Sequence, residues 1–192
     1  MQYYEIDLGG LGLTSDGLNV WLYKTNVKDV KELFEGYSSS ISELSGNLKP
    51  YEDKAGFKRT CQYIDSISDI EKKILKSMDD LKFSSMKDSY NKYLSSVKEK
   101  GKELPKLVMS YKNFSVINDG MAIWIEDKTV KGNDKRIGGW YTNYNLMLEE
   151  FTKYLMNTIR TTDRKELREK SEKVSETMEG MKTAIAKCKF AM

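Results

Sequence analysis

Two stretches of the chain, LGLTSDGLNVWL at residues 11–22 and FSVINDGMAIWI at residues 114–125, decide the predicted fold. They align at a constant offset of 103 residues, and they share Asp-Gly, Trp and every alternate apolar position. Asp-Gly closes tight turns because glycine adopts positive φ without steric cost. Alternation of apolar residues is typical of a strand, so each stretch predicts a β-hairpin with one apolar face. The alternating positions are Leu18, Val20 and Leu22 in the first copy, and Met121, Ile123 and Ile125 in the second.

Apolar side chains recur at helical spacing after each hairpin. In the first copy, the pattern predicts a helix that is capped at Asn26 and ends near Gly46 and Pro50. Its apolar positions are Val30, Leu33, Phe34, Tyr37, Ile41 and Leu44. The second copy shows the same kind of pattern at Met147, Phe151, Tyr154, Leu155 and Ile159. The hairpin and this helix are expected to be joined closely in the first copy, and by a long loop over residues 126–143 in the second.

Each copy continues into a longer helix whose key positions step by four and three residues, as in a coiled-coil seam. An offset of 107 residues superposes the two sets. The first set is Thr60, Ile64, Ile67, Glu71, Ile74, Met78 and Leu81, and the second is Leu167, Ser171, Val174, Met178, Met181, Ile185 and Cys188. Asp163 and Glu166 form a capping-box pattern at the start of the second helix.

These segments predict a mainly α protein of the α+β class, in which each copy reads strand, strand, helix, helix. A lone hairpin or a lone helix pair is marginal in water, so the two copies are expected to pack together. We therefore expect a helical bundle of about five helices with two β-hairpins and an internal pseudo-twofold duplication. The predicted repeats are residues 1–84 and 105–192, joined by a connecting helix within residues 85–104, and all belong to one compact domain.

The composition excludes several classes of enzyme. The 192 residues include no histidine, which excludes Ser-His-Asp and Cys-His nucleophiles and zinc sites with a histidine ligand. Cys61 and Cys188, the two cysteines, lack metal-binding spacing and fall on apolar helical positions, where cysteine packs as a small hydrophobe. We therefore predict a protein that is not an enzyme and that needs no metal or cofactor.

The ends and the charge of the chain bear on its location and partners. The first residues lack the basic and apolar regions of a signal peptide, and the apolar run at residues 121–125 is too short to span a bilayer. The prediction is a protein without a transmembrane segment that is cytoplasmic, or exported without a cleaved signal peptide. The net charge of +3 is smaller than that of most nucleic-acid-binding proteins.

The most informative segment for function is the predicted long loop at residues 128–141. It combines basic residues, glycines and two adjacent aromatic residues, and Trp, Tyr and Arg are enriched where interfaces gain most of their binding energy. Long loops on a rigid scaffold also tend to carry function. The candidate partner-binding residues are Lys128, Lys131, Lys135, Arg136, Trp140 and Tyr141.

The sequence therefore predicts a protein that docks onto, or occludes, a protein partner through its helical surface and this loop. Suitable settings are an effector, an immunity protein or other inhibitor, a phage counter-defence protein or a component of a secretion apparatus. The alternative is single-stranded nucleic-acid binding, in which the aromatic rings of residues 128–141 stack on bases while lysines contact phosphates.

Overall fold

The computed structural model describes residues 3–25, 32–54, 56–79, 81–97 and 105–191. Within these ranges the chain forms eight β-strands and five α-helices. The strands are β1 (Glu5–Asp7), β2 (Leu11–Ser15), β3 (Val20–Lys24), β4 (Glu32–Ser38), β5 (Leu107–Tyr111), β6 (Phe114–Asn118), β7 (Ile123–Asp127) and β8 (Arg136–Tyr141). The helices are α1 (Ile41–Leu48), α2 (Lys58–Asp79), α3 (Met86–Ser96), α4 (Tyr144–Asn157) and α5 (Arg164–Ala186). None of the described helices is long and apolar enough to cross a lipid bilayer.

The chain divides into two compact units that are each discontinuous in sequence. Unit 1 comprises Met1–Ile74 and Thr152–Glu176, and unit 2 comprises Leu75–Phe151 and Thr177–Met192. Unit 1 therefore contains the sheet β1–β4 and helix α1, and unit 2 contains the sheet β5–β8 and helix α3, while α2, α4 and α5 contribute residues to both. The predicted division into repeats packed as one domain stays a prediction.

Both sheets are antiparallel and have the strand order of the sequence, β1-β2-β3-β4 and β5-β6-β7-β8. Their registers correspond at the offset of 103 residues. Leu13 pairs with Leu22 in the first sheet, and Val116 pairs with Ile125 in the second. The first strands correspond in the same way, because Ile6 pairs with Leu13 and Met109 pairs with Val116. So do the fourth strands, in which Phe34 pairs with Leu22 and Ile137 pairs with Ile125. The pairing of the third strand with the fourth is also irregular at the same place in both sheets. The register shifts between Val20 and Leu22 of β3, and between Ile123 and Ile125 of β7.

The predicted helical bundle with two hairpins is wrong, because each copy contains four strands before its helices. The two hairpins lie where they were predicted, but residues 32–38 form strand β4 and not a helix. The spacing of Leu33, Phe34 and Tyr37 fits a helix, yet pairing with β3 satisfies the backbone of this segment, and Gly36 has a φ of +83° that no α-helix accommodates. The predicted cap at Asn26 and the apolar Val30 lie outside the described residues.

The two outer strands β1 and β5 were also missed. Strand β1 has only three residues, too few to show a period. Strand β5 does alternate in burial, with Leu107 and Met109 buried, but the exposed position between them is occupied by the apolar Val108. The composition of β5 therefore conceals its two-residue period.

The turn of each predicted hairpin is closed by the aspartate side chain. Asp16 Oδ1 accepts hydrogen bonds from the backbone N–H groups of Leu18 and Asn19 at 2.9 and 2.8 Å, and Asp119 Oδ1 accepts the corresponding pair at 2.9 Å each. Leu18 and Met121 lie within these turns and are 78% and 81% exposed, so their predicted place on the apolar face of a strand is wrong. The other alternating positions of both hairpins are buried.

The positions that the spacing marks on the two long helices are buried, as predicted, while the coiled-coil packing of these helices stays a prediction. In each set the first six positions are buried, and the seventh, Leu81 or Cys188, lies beyond the helix end and is partly exposed. The sets differ in polarity at three buried positions, where Thr60 corresponds to Leu167, Ile64 to Ser171 and Glu71 to Met178. Of these, only Glu71 is ionisable. The Glu71 Oε2 atom accepts a hydrogen bond from Ser42 N at 2.8 Å, while its Oε1 atom is buried without a partner among the described residues. Burial raises the pKa of Glu71, although hydrogen bonds from Ser42 and attraction to Lys153 act in the opposite direction.

The connecting helix is present as α3 and begins with a side-chain cap. Ser85 Oγ accepts a hydrogen bond from Asp88 N at 3.1 Å, which satisfies one of the free donors in the first turn. The helix ends at Ser96, and the remainder of the predicted connecting segment, residues 98–104, lies outside the described residues.

Candidate functional site

The segment at residues 128–141 is more ordered than the loop that the sequence predicts. A single 3₁₀ turn, Gly132–Lys135, leads into strand β8, which pairs with β7 at one end of the second sheet. Side chains alternate along a strand, so Ile137 points into the core of unit 2 and is buried, whereas Arg136 lies on the exposed side. The sheet thus fixes which side chains of the segment are available to a partner.

The most prominent exposed group of the segment is the pair formed by Arg136 and Trp140. The guanidinium carbon of Arg136 lies 3.7 Å from the centre of the Trp140 ring, which is a cation–π geometry. Trp140 is nevertheless 64% exposed. The pair therefore presents a large apolar ring to solvent, and the Arg136 guanidinium both restricts the motion of this ring and places a positive charge beside it.

Lys135 is exposed, but its ammonium group is paired within unit 2. Its Nζ atom lies 2.8 Å from Glu126 Oε2, and Glu126 Oε1 accepts a hydrogen bond from Trp124 Nε1 at 2.9 Å. Partial burial alone would raise the pKa of Glu126, but these hydrogen bonds and the attraction of Lys135 and Lys106 hold this pKa below its usual value. Lys135 and Trp124 therefore keep the Glu126 carboxylate charged.

Tyr141 also has an internal role, although it was predicted to contact a partner. Its hydroxyl oxygen accepts a hydrogen bond from Gly139 N at 3.2 Å. A Cβ atom at Gly138 would lie only 2.6 Å from this oxygen, and Gly138 has a φ of +69°. The tyrosine therefore covers the backbone of a kink in β8 that requires glycine.

The remaining predicted residues, Lys128 and Lys131, are exposed on the segment that precedes the 3₁₀ turn. The backbone N–H of Lys128 donates to the carbonyl oxygen of Asn113 at 2.7 Å, which anchors the start of the segment to the β5–β6 turn. Five of the six predicted residues have exposed side chains on this segment, namely Lys128, Lys131, Lys135, Arg136 and Trp140, and among them Lys135 is ion-paired with Glu126.

The expectation of a close connection between hairpin and helix in the first copy and a long loop only in the second is wrong, because strand β4 corresponds to β8. Tyr37, at the position equivalent to Trp140, is 61% exposed and packs edge-on against Trp21 with ring centres 5.0 Å apart. Sequence reasoning missed Tyr37 as a candidate because it placed this residue on a helix. The offset of 103 residues was the signal that would have found it.

Metal binding and thiol chemistry each depend on particular side-chain groups. The described part of the chain contains no group of three or more Cys, Asp or Glu side chains that could hold a metal ion. Burial raises the pKa of the Cys61 thiol, with Asp65 and Glu52 adding to the shift, which keeps this thiol protonated at neutral pH.

No protein family, curated protein or solved structure matches this chain. The geometry and chemistry of its own residues are therefore the basis on which a function is assigned.

Proposed function

We propose that this protein binds another protein through the exposed side chains of residues 128–140, and that it acts by docking or occlusion without making or breaking bonds. The observation that carries the proposal is the exposed Trp140 ring with the Arg136 guanidinium 3.7 Å from its centre. Tryptophan and arginine are, with tyrosine, the residue types enriched among those that dominate the energy of protein interfaces.

The exposed ring supplies the binding energy in this proposal. Burying a large apolar side chain stabilises a complex by about 1.5–3 kcal/mol. Because Arg136 already restricts the ring, less side-chain entropy is lost when a partner covers it. Trp140 would therefore act as an anchor residue, while the surrounding contacts exclude water from it.

The mode of binding would be side-chain docking and not the addition of a strand to β8. A partner strand needs a regular row of backbone donors and acceptors along the free edge of β8. The irregular pairing between Ile123 and Ile125 and the positive φ of Gly138 interrupt that row. Side chains and not backbone groups are thus the part of β8 that a partner would recognise.

The charge of the segment defines the chemistry of the partner. Lys128, Lys131 and Arg136 are exposed cations close in sequence to Trp140. A complementary surface would offer a pocket for the indole ring with acidic side chains at its rim. The proposed partner is therefore a protein with an acidic surface around an apolar pocket.

The proposal is tested by replacing Arg136 and Trp140 with alanine in the full chain. We expect the melting temperature to stay nearly unchanged, because both side chains are exposed, and partner capture in a quantitative affinity pull-down to be lost. Tyr37→Ala, the matched change on β4, should retain the same partner. A large fall in melting temperature would instead place Trp140 in the core, and equal capture by the variant and the wild type would reject the proposal.

The exposed indole of Trp140 also supports a second candidate function, single-stranded nucleic-acid binding. A free aromatic ring stacks on bases, and Lys128 and Lys131 could meet phosphates. A salt titration of oligonucleotide binding distinguishes this function, because phosphate contacts make affinity fall steeply with salt. Weak association that is insensitive to salt would discard it.

A further inference from the structure

A cavity of about 630 Å³ lies within unit 1, apart from the segment at residues 128–141. Three segments line it. The turn between β1 and β2 contributes Leu8 and Gly9, the first residues of α2 contribute Lys58, Arg59 and Thr60, and the first residue of α5 contributes Arg164. This volume is typical of sites for small molecules, which occupy about 300–1,000 Å³.

The charged residues that line this cavity are all basic, and one carboxylate lies beside it, since Asp7 Oδ1 accepts a hydrogen bond from the lining residue Gly9 at 2.8 Å. Lys58, Arg59 and Arg164 are exposed, and none of them forms an ion pair with a carboxylate of the described ranges. Arg164 is held in place by its Nε atom, which donates to the carbonyl oxygen of Asp7 at 2.6 Å. This bond leaves the two terminal nitrogens of the guanidinium for another acceptor.

The start of α2 adds free backbone donors to the cavity. The first intrahelical bond runs from Cys61 N to Phe57 O at 2.9 Å, so the N–H groups of Lys58, Arg59 and Thr60 have no intrahelical acceptor. Phe57 lacks a side-chain oxygen that could cap them. Free amides at a helix start attract anions, because they carry the positive end of the helix dipole.

Thr60 provides an independent sign that a ligand belongs in this cavity. The residue is only 3% exposed and lines the cavity, yet its hydroxyl forms no hydrogen bond with any residue that the structure describes. A hydroxyl on the wall of a cavity that has no protein partner is free to donate a hydrogen bond to an acceptor that enters the cavity.

We propose that this cavity binds a small phosphorylated polyanion. Lys58, Arg59 and the terminal nitrogens of Arg164 would neutralise its charge, and the Thr60 hydroxyl and the free amides of α2 would donate to its oxygens. Leu8 is the one apolar side chain among the described lining residues, and none of them is aromatic. A nucleobase would find no ring to stack on, so the ligand class is a phosphorylated sugar or a short polyphosphate.

The proposal is tested by isothermal titration calorimetry of the full chain with inorganic tripolyphosphate and with glucose 6-phosphate, and with glucose as the uncharged control. The wild type should bind one or both phosphorylated probes and not glucose. K58Q/R59Q should weaken binding at least about tenfold, since one charge-assisted hydrogen bond is worth roughly that factor. K165Q/R168Q removes the same charge from α5, where both residues pair with Glu169 or Glu172, and should change affinity less than about threefold.

Thr60→Val keeps the shape of the side chain and removes its hydroxyl, so it tests the cavity even if K58Q/R59Q fails to fold. It should weaken binding severalfold while the chain stays folded by circular dichroism. Trp140→Ala should leave this affinity unchanged, which separates the cavity from the proposed protein-binding surface. Absence of binding to both probes at low salt would overturn the proposal, and so would equal loss in K165Q/R168Q or unchanged affinity in Thr60→Val.

Discussion

The sheets β1–β4 and β5–β8 pair their strands at equivalent positions, whereas the side chains that they expose differ. The exposed residue of the hairpin turn is Leu18 in one sheet and Met121 in the other, and the exposed aromatic residue of the fourth strand is Tyr37 or Trp140. Backbone pairing constrains the buried positions of both sheets, because a shift of one residue would turn every side chain to the opposite face. The exposed positions carry no such constraint, so they are where the two copies can acquire different partners.

The first turns of α2 and α5 also differ, because among the described residues only α5 has a side chain that caps its free backbone N–H groups. Asp163 precedes α5, and its side chain accepts a hydrogen bond from Glu166 N at 2.7 Å, so this helix satisfies its own first turn. Phe57 precedes α2 and cannot do so. In the second copy the Asp163 carboxylate thus caps the start of α5, whereas in the first copy the N–H groups at the start of α2 stay available at the basic cavity.

The largest expected effect tests whether the two sheets are equivalent in the core. Leu22→Ala and Ile125→Ala remove corresponding buried side chains, and each should lower the free energy of unfolding by about 2–5 kcal/mol. Urea unfolding followed by circular dichroism measures both. A loss below 1 kcal/mol for one of them would show that the equivalence in register does not extend to packing.

The next effect compares the glycines of the two hairpin turns. Gly17 and Gly120 have φ values of +95° and +90°, so Gly17→Ala and Gly120→Ala should each lower stability by about 1–2 kcal/mol. Gly46 in α1 has open space at its Cβ position, and Gly46→Ala should raise stability by about 0.5–1 kcal/mol. Thermal unfolding of the three variants provides the measurement, and a neutral result at either turn would contradict the equivalence of the turns.

Glu71 on α2 should make the stability of the protein depend on pH, whereas Met178, the corresponding residue of α5, has no titratable group. Because burial raises the pKa of Glu71 in the folded chain, the folded state holds more protons than the unfolded state just above the ordinary pKa of glutamate, about 4.3. The contribution of Glu71 to stability should therefore decrease as the pH rises through that interval. Glu71→Gln should reduce this slope in urea unfolding measured between pH 4 and 7, and identical slopes for the two proteins would refute the assignment.

The smallest effect concerns Glu126, whose pKa is shifted in the opposite direction. Its stabilising contribution is present above the ordinary pKa of glutamate and is lost as the pH falls through its lowered pKa. Lys135→Gln should bring the pKa of Glu126 closer to its ordinary value and cost less than about 1 kcal/mol, because Lys135 is partly exposed. An NMR titration of the Glu126 carboxyl group provides the test, and an unchanged pKa would exclude Lys135 as a cause.

The sequence predicted the elements whose signal is local. Asp-Gly and the alternation around Trp21 and Trp124 located both inner hairpins, and the heptad spacing located the buried positions of α2 and α5. Strand β4 was missed because its apolar residues fit a helical period, and only pairing with β3, which is a tertiary contact, decides its structure. The offset of 103 residues also aligns β4 with β8. The repeat could therefore have predicted that the two segments share one structure, which the helical spacing of residues 33–37 did not reveal.

The candidate sites were predictable to different degrees. The exposed Arg136 and Trp140 were identified from residue type alone, because both are common at interfaces. The internal roles of Lys135 and Tyr141 could not be predicted, since they depend on the kink at Gly138 and on the approach of Glu126. The basic cavity was missed because it joins residues near positions 8, 58 and 164, and no local pattern links positions so far apart in the chain.

The irregular fourth strands have a consequence for how the protein behaves at high concentration. A straight end strand is a template for aggregation, because its free backbone groups pair with those of another molecule. Both β4 and β8 pair irregularly with their neighbours, and each contains a glycine at positive φ, Gly36 or Gly138. These kinks should keep copies of the chain from stacking edge to edge into fibrils during heating or concentration.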